Sequence, residues 1–431
     1  MEEYLFRIVQ GDNPWISGGN LGEWLGRYVP AKFVERQTII RPDRRARLIV
    51  GPRQAGKSTL IWKYLADKQE PCLFLNCEEP AIREWLDSPA AFLADLEKLT
   101  ESPVALFFEE IQRLQDAGLF LKGIVDRGYA ASIFATGSSS FELESKTRES
   151  LAGRALRHLV LPFSLSEATS MIRGPEALRQ RRLEEHLLNM LIFGGYPTVF
   201  LSEDPEKELA VLAESFIVRD ASDRFRVRYP AAFRKVLELA ASQIGNLCNY
   251  SEWASIAGVS NDTVSEYIRL MEETHVVRLV RPFVGGKRAE LTSAPKMYLV
   301  DNGVRNVVFG GFSPAARRPD RGALWENFAF SEIIKNINPV LDTVRYWRSK
   351  GGAEVDFVIE HQGRIIACEA KAGDPRGKLT RSARSFIDAY RPEVLIVAGN
   401  RAYPDRDMKK TAVRFIPMSE LGRAVKAFTL S

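Results

Sequence analysis

The stretch that decides the fold is Arg47-Leu48-Ile49-Val50-Gly51-Pro52-Arg53-Gln54-Ala55-Gly56-Lys57-Ser58-Thr59. Apolar residues precede a loop with the spacing G-x-x-x-x-G-K-S, and a helical pattern follows it. Strand, loop and helix in this order make a phosphate-binding loop, in which backbone N–H groups and the helix N-terminus point at a triphosphate. A glycine-containing turn with a purely structural role would rarely be both preceded by an apolar strand and followed by a helix. The stretch therefore predicts a nucleoside triphosphate site.

Each residue type in this loop has a predicted role. The two glycines permit backbone conformations that other residues avoid. Lys57 is expected to reach the β- and γ-phosphates, and the Ser58 hydroxyl to coordinate Mg²⁺. The predicted cofactors are therefore ATP and Mg²⁺. The predicted nucleotide-binding residues are Gly51, Pro52, Arg53, Gln54, Ala55, Gly56, Lys57, Ser58 and Thr59.

Bulk properties narrow the class of protein. A length of 431 residues suggests roughly three domains, and 45% apolar with 27% charged residues is typical of a soluble globular chain. The net charge of +5 permits nucleic-acid binding without arguing for it. The four cysteines form no C-x-x-C pair, the N-terminus lacks a signal-peptide pattern, and no apolar run is long enough to span a membrane. We expect a cytoplasmic protein with reduced cysteines and no membrane partner.

The first part of the chain, to about residue 165, alternates short apolar strands with helical stretches. This alternation predicts an α/β fold with a parallel sheet and a ligand site at the carboxyl ends of its strands. Ser88 before Pro89 is typical of a helix start. The predicted strands are Leu48–Val50, Cys72–Asn76, Val104–Phe108, Ser132–Thr136 and Leu156–Leu161.

The remainder predicts three further segments. Residues 166–228 are helical and are interpreted as a lid or connector. Residues 229–305 combine helices at Pro230–Ile244, Tyr250–Ala257 and Ser260–Glu273 with two strands, which together predict a winged helix-turn-helix. Residues 306–431 form the last unit.

Two carboxylates follow the strand that begins at Val104. We expect Glu109 to hold Mg²⁺ and Glu110 to orient and polarise the attacking water, because phosphoryl transfer requires such groups beside a phosphate loop. Thr136 or Ser138, after the fourth strand, could sense the γ-phosphate or hold the water, although small hydroxyl residues also occur at turns for structural reasons. Arg154 could neutralise transition-state charge in its own subunit or in a neighbour, or simply be solvated.

These motifs resemble a known family. Gly51–Thr59, Phe107–Gln112, Thr136–Ser139 and Gly153-Arg154 look like bacterial and archaeal AAA-like P-loop ATPases, in the group that adds a winged helix and a C-terminal restriction-endonuclease-like domain. The similarity continues through Gly194–Pro197, Tyr298–Asp301 and Glu326–Phe328. The family usually has Asp-Glu where this chain has Glu109-Glu110, which puts metal geometry and hydrolysis rate in doubt.

The predicted winged helix offers a choice of partner. The exposed face of its second helix would carry Asn261, Asp262, Ser265, Glu266 and Arg269, a nearly neutral or acidic surface that suits phosphate contact poorly. We therefore expect DNA-backbone contact through the wing, or docking of a protein partner instead. The predicted DNA-binding residues are Arg269, Arg278, Arg281, Lys287 and Arg288.

A third candidate site lies near the C-terminus. Asp356 precedes Glu369-Ala370-Lys371 by thirteen residues, and a turn near Gln362-Gly363 would bring the two strands together. Glu369 and Lys371 share a side of their strand because the side-chain period is two. Two carboxylates can bind Mg²⁺ while a lysine activates water or steadies the phosphorane.

This pattern resembles the PD-(D/E)XK nuclease core, with Val355 where the pattern often has proline. By that resemblance, Asp356, Glu369 and Lys371 are catalytic residues. Asp356 and Glu369 also serve as metal ligands, and Glu326 on the preceding helix adds a further carboxylate. Whether the domain cuts stays open at this stage, since fold does not guarantee chemistry.

Two functions are compatible with these modules. The first is an ATP-hydrolysing protein that binds DNA, branched or damaged DNA included, and acts in repair, recombination or defence. An arginine that works in a neighbouring subunit would require a homo-oligomer such as a ring. The second is an ATP-gated signalling switch that docks a protein partner and carries an inactive nuclease-like domain.

Overall fold

A computed structural model of the chain describes residues 3–41, 43–137, 151–215, 227–283 and 294–430. Its contacts divide the chain into two compact units, Met1–Leu161 and Pro162–Ser431. The three segments predicted for the second part of the chain, from residue 166 onward, therefore fall within one unit. Their separation at residues 228 and 305 stays a prediction.

The first unit is built on a five-stranded sheet in the order β2-β3-β4-β1-β5, and every neighbouring pair is parallel. The predicted α/β class is confirmed, and predicted and observed strand ends differ by at most two residues. The strands are β1 (Ala46–Val50), β2 (Cys72–Asn76), β3 (Ala105–Glu109), β4 (Ile133–Gly137) and β5 (Ala155–Leu159).

Helices cover both faces of this sheet, so its central strands are apolar on both sides. In β3, Leu106 and Phe108 join one hydrophobic core while Ala105 and Phe107 join the other. The Ser88 side chain accepts a hydrogen bond from the backbone N–H of Ala91, as the sequence predicts for a helix start. The helices are Glu3–Asp12, Leu21–Arg27, Lys57–Lys68, Pro80–Trp85, Pro89–Leu99 and Ala117–Asp126, with short 3-10 turns at Pro14–Ser17 and Ile111–Arg113.

The outer edge of β2 is closed by side chains instead of a further strand. The Asn13 amide donates to the Phe74 carbonyl at 2.9 Å and accepts from the Phe74 N–H at 2.7 Å. The Trp15 indole donates to the Cys72 carbonyl at 2.9 Å. Asn13 thus pairs with the strand as a neighbouring backbone would, and the edge has no open ladder at Phe74.

The second unit is organised around an eight-stranded mixed sheet in the order β12-β13-β11-β10-β9-β8-β6-β7. Strands β8, β9 and β10 form an antiparallel meander, and β11 runs parallel to β10 and to β13. The strands are β6 (Val277–Pro282), β7 (Lys296–Leu299), β8 (Asp342–Arg348), β9 (Glu354–His361), β10 (Arg364–Ala370), β11 (Val394–Gly399), β12 (Tyr403–Met408) and β13 (Thr411–Pro417).

The antiparallel pair β6–β7 belongs to this same sheet, although the sequence suggested a separate wing. Arg281 and Pro282 of β6 pair in parallel with Arg345 and Tyr346 of β8. The Phe283 N–H extends this pairing by donating to the Tyr346 carbonyl at 2.6 Å. The predicted wing strands are thus continuous with the strands of the last unit.

The helices of the second unit agree closely with the sequence pattern where one was predicted. Tyr250–Ala257 has the predicted bounds, and Ser260 caps the next helix by accepting from the Thr263 N–H at 3.1 Å. Among the described helices, none has both the length and the apolar character needed to cross a membrane. The helices are Leu165–Ala168, Glu176–Phe193, Pro197–Phe200, Pro205–Ser215, Pro230–Ser242, Tyr250–Ala257, Asn261–Glu273, Asn302–Val308, Arg321–Lys335, Arg381–Tyr390 and Leu421–Leu430, with 3-10 turns at Ala315–Arg317 and Met418–Glu420.

A buried polar network joins the predicted lid to the segments that follow it. Asp301 accepts from the Gly195 N–H at 2.7 Å, and the Asn302 amide donates to the carbonyls of Leu191 and Leu324 at 3.2 and 3.1 Å. A side chain at Gly194 would place its Cβ 1.9 Å from an Asp301 oxygen, so glycine is required there. Because buried polar groups are costly when unpaired, this network fixes these segments as one body.

Candidate nucleotide site and C-terminal acid centre

The phosphate loop has the strained backbone that the motif predicts. Gly51 and Gly56 have φ angles of 147° and 88°, and Gln54 also lies in the left-handed region at 58°. A Cβ at Gly51 would lie 2.0 Å from the Val160 carbonyl oxygen, which excludes larger residues. The Lys57 ammonium donates to the carbonyls of Gly51 and Pro52 at 3.2 and 2.8 Å. The cation is therefore held inside the loop by neutral acceptors.

Ser58 and Glu109 meet across the sheet edge. The Ser58 hydroxyl donates to the Glu109 carboxylate, although 51 positions separate them in sequence. Burial raises the pKa of Glu109, the Ser58 hydrogen bond opposes this, and the nearby charge of Glu110 adds to it. A hydroxyl and a carboxylate are the oxygen donors that Mg²⁺ takes in NTPases, so this pair fits the ion.

Glu110 is fixed by two neighbours. Its backbone lies in the left-handed region at φ 51°, which is uncommon for a residue with a side chain. Its N–H donates to the Thr136 hydroxyl at 3.2 Å, and the Gln112 amide donates to its carboxylate. Thr136 therefore contacts the backbone of Glu110 in the described structure, while Ser138, the other residue named for the γ-phosphate, lies outside the described residues.

Arg154 lies at the wrong edge of the sheet to reach the phosphate loop of its own chain. It directly precedes β5, which is parallel to β1, and its carbonyl accepts from the Ala46 N–H at the start of β1. The loop follows the other end of β1, about five residues or roughly 17 Å away. The Arg154 side chain is ion-paired with Asp126. This position favours action in a neighbouring subunit over action in its own, and the role of Arg154 stays a prediction.

Arg36 contacts the phosphate loop, and no sequence pattern predicted this contact. Its guanidinium donates to the Ala55 carbonyl at 3.4 Å and to the Leu161 carbonyl. It thus joins the loop to the last residue of the first unit. The contact spans 125 positions in sequence, so no local pattern could have predicted it.

The C-terminal acid centre assembles much as the sequence predicts. Gln362 and Gly363 form the turn between β9 and β10, with φ angles of 49° and 83°. The Ala370 N–H donates to the Asp356 carboxylate at 2.8 Å, and the Lys371 ammonium lies 3.1 Å from the Glu369 carboxylate. Asp356, Glu369 and Lys371 therefore share one end of the two strands.

The environment of this centre shifts two pKa values. Burial, followed by the charge of Glu326, raises the pKa of Asp356 to about 7. Burial acts to lower the pKa of Lys371, but the charges of Glu369 and Asp356 outweigh it, so the net shift is upward. A proton or a cation is therefore needed to balance the carboxylates.

Glu326, which was predicted to add a further carboxylate, is held by two partners from β7, and its role as a metal ligand stays a prediction. Its carboxylate accepts from the Tyr298 hydroxyl at 2.7 Å and lies 3.7 Å from the ammonium of Lys296, which is only 2% exposed. Across the described ranges, no group of three or more His, Cys, Asp or Glu side chains is placed to hold a metal. Two carboxylates, Asp356 and Glu369, still fit Mg²⁺, which commonly binds proteins through one or two carboxylates and completes its shell with water.

Several residues that support the two sites were missed by the sequence reasoning. Gln112 holds Glu110, and Thr380 donates its hydroxyl to Glu369 at 2.7 Å. Lys296 and Tyr298 hold Glu326. A readable signal existed only for Thr380, because a threonine directly before a helix is a common N-cap.

The structure gives the predicted DNA-binding residues unequal support. The five residues expected on the outer face of the helix Asn261–Glu273 are all exposed. Arg269 on that face is ion-paired with Glu273 at 2.7 Å, and Arg278 lies 3.5 Å from the ring of His275. Arg281 is exposed. Lys287 and Arg288, with the tip Gly285-Gly286, lie outside the described residues.

Three family models match successive segments of the chain. Residues 43–169 match a model described as an AAA domain. Residues 184–315 and 321–421 match two models that are each described as a domain of unknown function, DUF8612 and DUF4143. Together with the parallel sheet and the phosphate loop, the first match makes the N-terminal unit a nucleotide-binding P-loop ATPase domain.

Among solved structures, the fold is similar to the RuvB Holliday junction branch migration motor of Thermotoga maritima. The two are 16% identical, with a TM-score of 0.28, over 54% of this chain and 81% of RuvB. The replication initiator DnaA, solved with AMPPCP and single-stranded DNA, is 13% identical with a TM-score of 0.26, over 57% of this chain and 92% of DnaA. The ATPase assignment rests on the sheet, the loop and the AAA model.

Protein relatives cover most of the chain. A protein of Methanocaldococcus jannaschii, MJ1544, is 23% identical over 356 residues, which is 78% of either chain. The protein Rv2008c of Mycobacterium tuberculosis is 30% identical over 369 residues, which is 84% of this chain and 78% of the relative. The chain therefore belongs to the same family as Rv2008c, with a P-loop ATPase domain of the AAA type at its N-terminus.

Proposed function

We propose that this protein couples Mg²⁺-dependent ATP hydrolysis in its first unit to metal-dependent cleavage of DNA in its second. The observation that carries the DNA part is the meeting of Asp356, Glu369 and Lys371 at one end of β9 and β10. Two carboxylates and a lysine so arranged can hold a metal ion and stabilise the charge of a phosphodiester under attack.

In the ATPase site, Lys57 would exchange its two carbonyl partners for phosphate oxygens. Ser58 and Glu109 would hold Mg²⁺, which supplies charge neutralisation when bound. Glu110, oriented by Gln112 and by its own backbone bond to Thr136, would align the attacking water and accept its proton. Release of Ser58 from Glu109 would free both groups for this work.

In the acid centre, Asp356 and Glu369 would hold Mg²⁺, and Lys371 would position water or steady the charged phosphorane. The order of elements supports a PD-(D/E)XK-like unit: the helix Arg321–Lys335, the meander β8-β9-β10, the helix Arg381–Tyr390 and then β11, which is parallel to β10. Thr380 and the Ala370 N–H would keep the two carboxylates in place.

A winged helix for residues 229–305 is supported by the element order. Three helices precede the β6–β7 pair, and Leu247 forms an isolated bridge with Lys296 of β7. We propose that its DNA contact, if backbone phosphates are the target, falls to Arg278, Arg281, Lys287 and Arg288 more than to the ion-paired Arg269. Arg154 would act on ATP bound to a neighbouring subunit, which makes a homo-oligomer such as a ring part of the proposal.

The proposal is tested by one set of reactions. Purified protein with ATP and Mg²⁺ or Mn²⁺ is incubated with linear duplex, single-stranded and branched DNA, and phosphate release and DNA products are measured in the same tubes. We expect salt-sensitive DNA binding and metal-dependent cleavage. Absence of binding to every DNA form at low salt would exclude the DNA function.

A second function is favoured by one specific observation, the exposed face of the helix Asn261–Glu273. That face carries Asp262 and Glu266, and its one arginine is paired with Glu273. Such a face suits a protein partner better than DNA, as in an ATP-gated switch. Capture of a protein by the native chain with ATP, lost in a Lys57→Ala variant and without any DNA retention, would favour the switch.

A further inference from the structure

Four exposed cations follow the strand of Glu369 and Lys371 on a short segment of chain. Within the described part of the protein, none of them forms an ion pair, whereas many other surface cations do, such as Arg179 with Glu176. The four, which we call the basic segment, are Arg376, Lys378, Arg381 and Arg384.

Within the described residues, the acidic residues beside the basic segment form no ion pair with its four cations. Asp374 accepts from the Arg376 backbone N–H at 2.7 Å and from the Tyr403 hydroxyl at 2.6 Å, and it lies 3.8 Å from Arg401. Asp388 is ion-paired with Lys409 at 2.8 Å. Neither acid therefore forms a direct ion pair with a cation of the basic segment, although Asp374 lies close enough to Arg376 to interact with its charge.

The first part of the basic segment is held in a defined turn. Arg376 and Gly377 both lie in the left-handed region, at φ 52° and 58°, and the Lys378 N–H donates to the Pro375 carbonyl at 3.1 Å. A Cβ at Gly377 would lie 3.1 Å from the Tyr403 ring. A left-handed arginine is strained, and such strain concentrates at functional positions.

The second part of the basic segment is tied to the acid centre by Thr380. Its hydroxyl donates to Glu369 at 2.7 Å and accepts from the Ala383 N–H at 3.0 Å, which caps the helix Arg381–Tyr390. Arg381 and Arg384 stand three positions apart, on one face of that helix. The cations therefore begin within a few residues of the proposed cleavage centre.

We propose that the basic segment binds the phosphodiester backbone of DNA and guides the strand to Asp356, Glu369 and Lys371. This inference rests on the proposed DNA function and names the surface that serves it. A row of carboxylates repels DNA, so a nuclease centre needs nearby positive charge to offset that repulsion. Arginine suits the task because its planar guanidinium can bind two phosphate oxygens at once.

The test replaces all four cations with glutamine and measures binding of a fluorescent DNA duplex over a range of salt concentrations. Each phosphate contact contributes about 0.9 to the slope of log affinity against log salt, so loss of four contacts should lower the slope by about 3.6 and the affinity at low salt by at least about tenfold. A matched variant, with Arg173, Arg182, Lys207 and Arg423 changed to glutamine, removes the same charge from other exposed positions of the second unit and should keep the slope. Both variants should keep the ATPase rate of the native protein, which confirms that they fold.

The outcomes separate the inference from the function on which it rests. If the native protein binds DNA and the basic-segment variant retains both affinity and slope, the inference is wrong and the DNA function stands. If the native protein binds no DNA, both fail. If the matched variant loses as much slope as the basic-segment variant, the contact is diffuse and the inference is also overturned.

A Thr380→Val variant tests the link to the centre. Without the hydroxyl, Glu369 loses a hydrogen bond, so cleavage should fall at least about tenfold while the salt slope of binding stays unchanged. Thr380→Ser, which keeps the hydroxyl, should restore cleavage. Equal cleavage in the valine variant would show that Thr380 serves only the helix.

Discussion

The nucleotide site and the C-terminal acid centre both place a lysine among oxygen atoms, but the hydrogen-bond acceptors shown beside the two ammonium groups differ. In the first unit, the Lys57 ammonium is bound by the neutral carbonyls of Gly51 and Pro52. In the second, the Lys371 ammonium lies 3.1 Å from the carboxylate of Glu369. Neutral acceptors give up a cation to an arriving phosphate more readily than a carboxylate does.

The carboxylates of the two sites, Glu109 and Asp356, also differ in their surroundings. Glu109 has a hydroxyl partner and a pKa raised by burial, so Mg²⁺ would replace a single hydrogen bond. Asp356 is buried with Glu326, Glu369 and Lys371 around it, and its pKa is raised to about 7. Burial raises the pKa of both carboxylates, and the neighbouring charges of Glu326 and Glu369 raise that of Asp356 further.

The largest expected effect is on ATP affinity. Lys57→Ala removes the cation that would bind the phosphates, and we expect affinity for ATP to fall at least about 100-fold, measured by titration with a fluorescent analogue. Lys63→Ala, on the same helix but ion-paired at the surface with Asp67, is the control and should bind normally. Normal ATP binding by Lys57→Ala would remove the lysine from the site.

The next effect separates binding from turnover. Glu110→Gln keeps the shape of the side chain but cannot accept a proton, so we expect unchanged ATP affinity and a turnover reduced at least about 100-fold. Glu84→Gln, an exposed residue of the helix Pro80–Trp85, should turn over at the native rate. Retained hydrolysis in Glu110→Gln would end its assignment as the base.

The third effect tests whether the two sites are independent. Asp356→Ala and Lys371→Ala should abolish Mg²⁺- or Mn²⁺-dependent DNA cleavage and leave the ATPase rate within about twofold of native. Asp388→Ala removes an exposed carboxylate of the same unit and serves as the control. Cleavage that survives in both variants would come from another site or from a contaminant.

The raised pKa of Asp356 predicts a pH dependence. Metal binding needs the ionised carboxylate, so cleavage should rise with pH through about 7 while ATPase activity follows a different profile. The pKa of the Asp356 carboxyl is 3.8 in the unfolded chain and about 7 in the folded chain, so between these values the folded chain binds more protons. Without metal, the free energy of unfolding should therefore fall as the pH rises from about 4 to about 7. Asp356→Asn should remove this share of the dependence in urea unfolding. An unchanged profile in the asparagine variant would place the titration elsewhere.

The smallest effect concerns Arg154. If it acts only on a neighbour, Arg154→Ala should lower the ATPase rate severalfold in the assembled protein and leave ATP affinity unchanged. Mixing it with Lys57→Ala subunits should restore part of the activity, because each partner supplies what the other lacks. Arg127→Ala, at the surface of the same unit, is the control. No recovery on mixing, at concentrations where the chain is oligomeric, would contradict action between subunits.

The sequence predicted the structure of the first unit more completely than that of the second. Its strands and phosphate loop follow from local patterns, since a buried parallel strand is apolar along its whole length. The acid centre was also readable, because Asp356 and the Glu369–Lys371 pair flank a short turn. Local patterns could not predict contacts between residues far apart in sequence. Examples are the pairing of β6 with β8 and the contact of Arg36 with Leu161.

The roles of individual polar groups were the least predictable. Glu326 was expected at a metal, and the sequence did not predict that a tyrosine and a lysine of β7 hold it, 28 positions away in the case of Tyr298. Arg154 was expected to act on ATP in its own subunit or in a neighbour, and the parallel pairing of β5 with β1 shows that it stands at the far edge. The predicted parallel sheet already implied this position, because Arg154 precedes its strand whereas the phosphate loop follows one.

The pairing of Asn13 with β2 also bears on how copies of this chain could assemble. An unpaired strand edge can form hydrogen bonds with a strand of a second molecule, and such pairing can produce fibres as well as closed rings. One amide occupies both hydrogen-bonding positions of Phe74, so a visiting strand would have to displace it first. Asn13 therefore blocks strand addition at this edge, and an ordered assembly of subunits would have to use other surfaces.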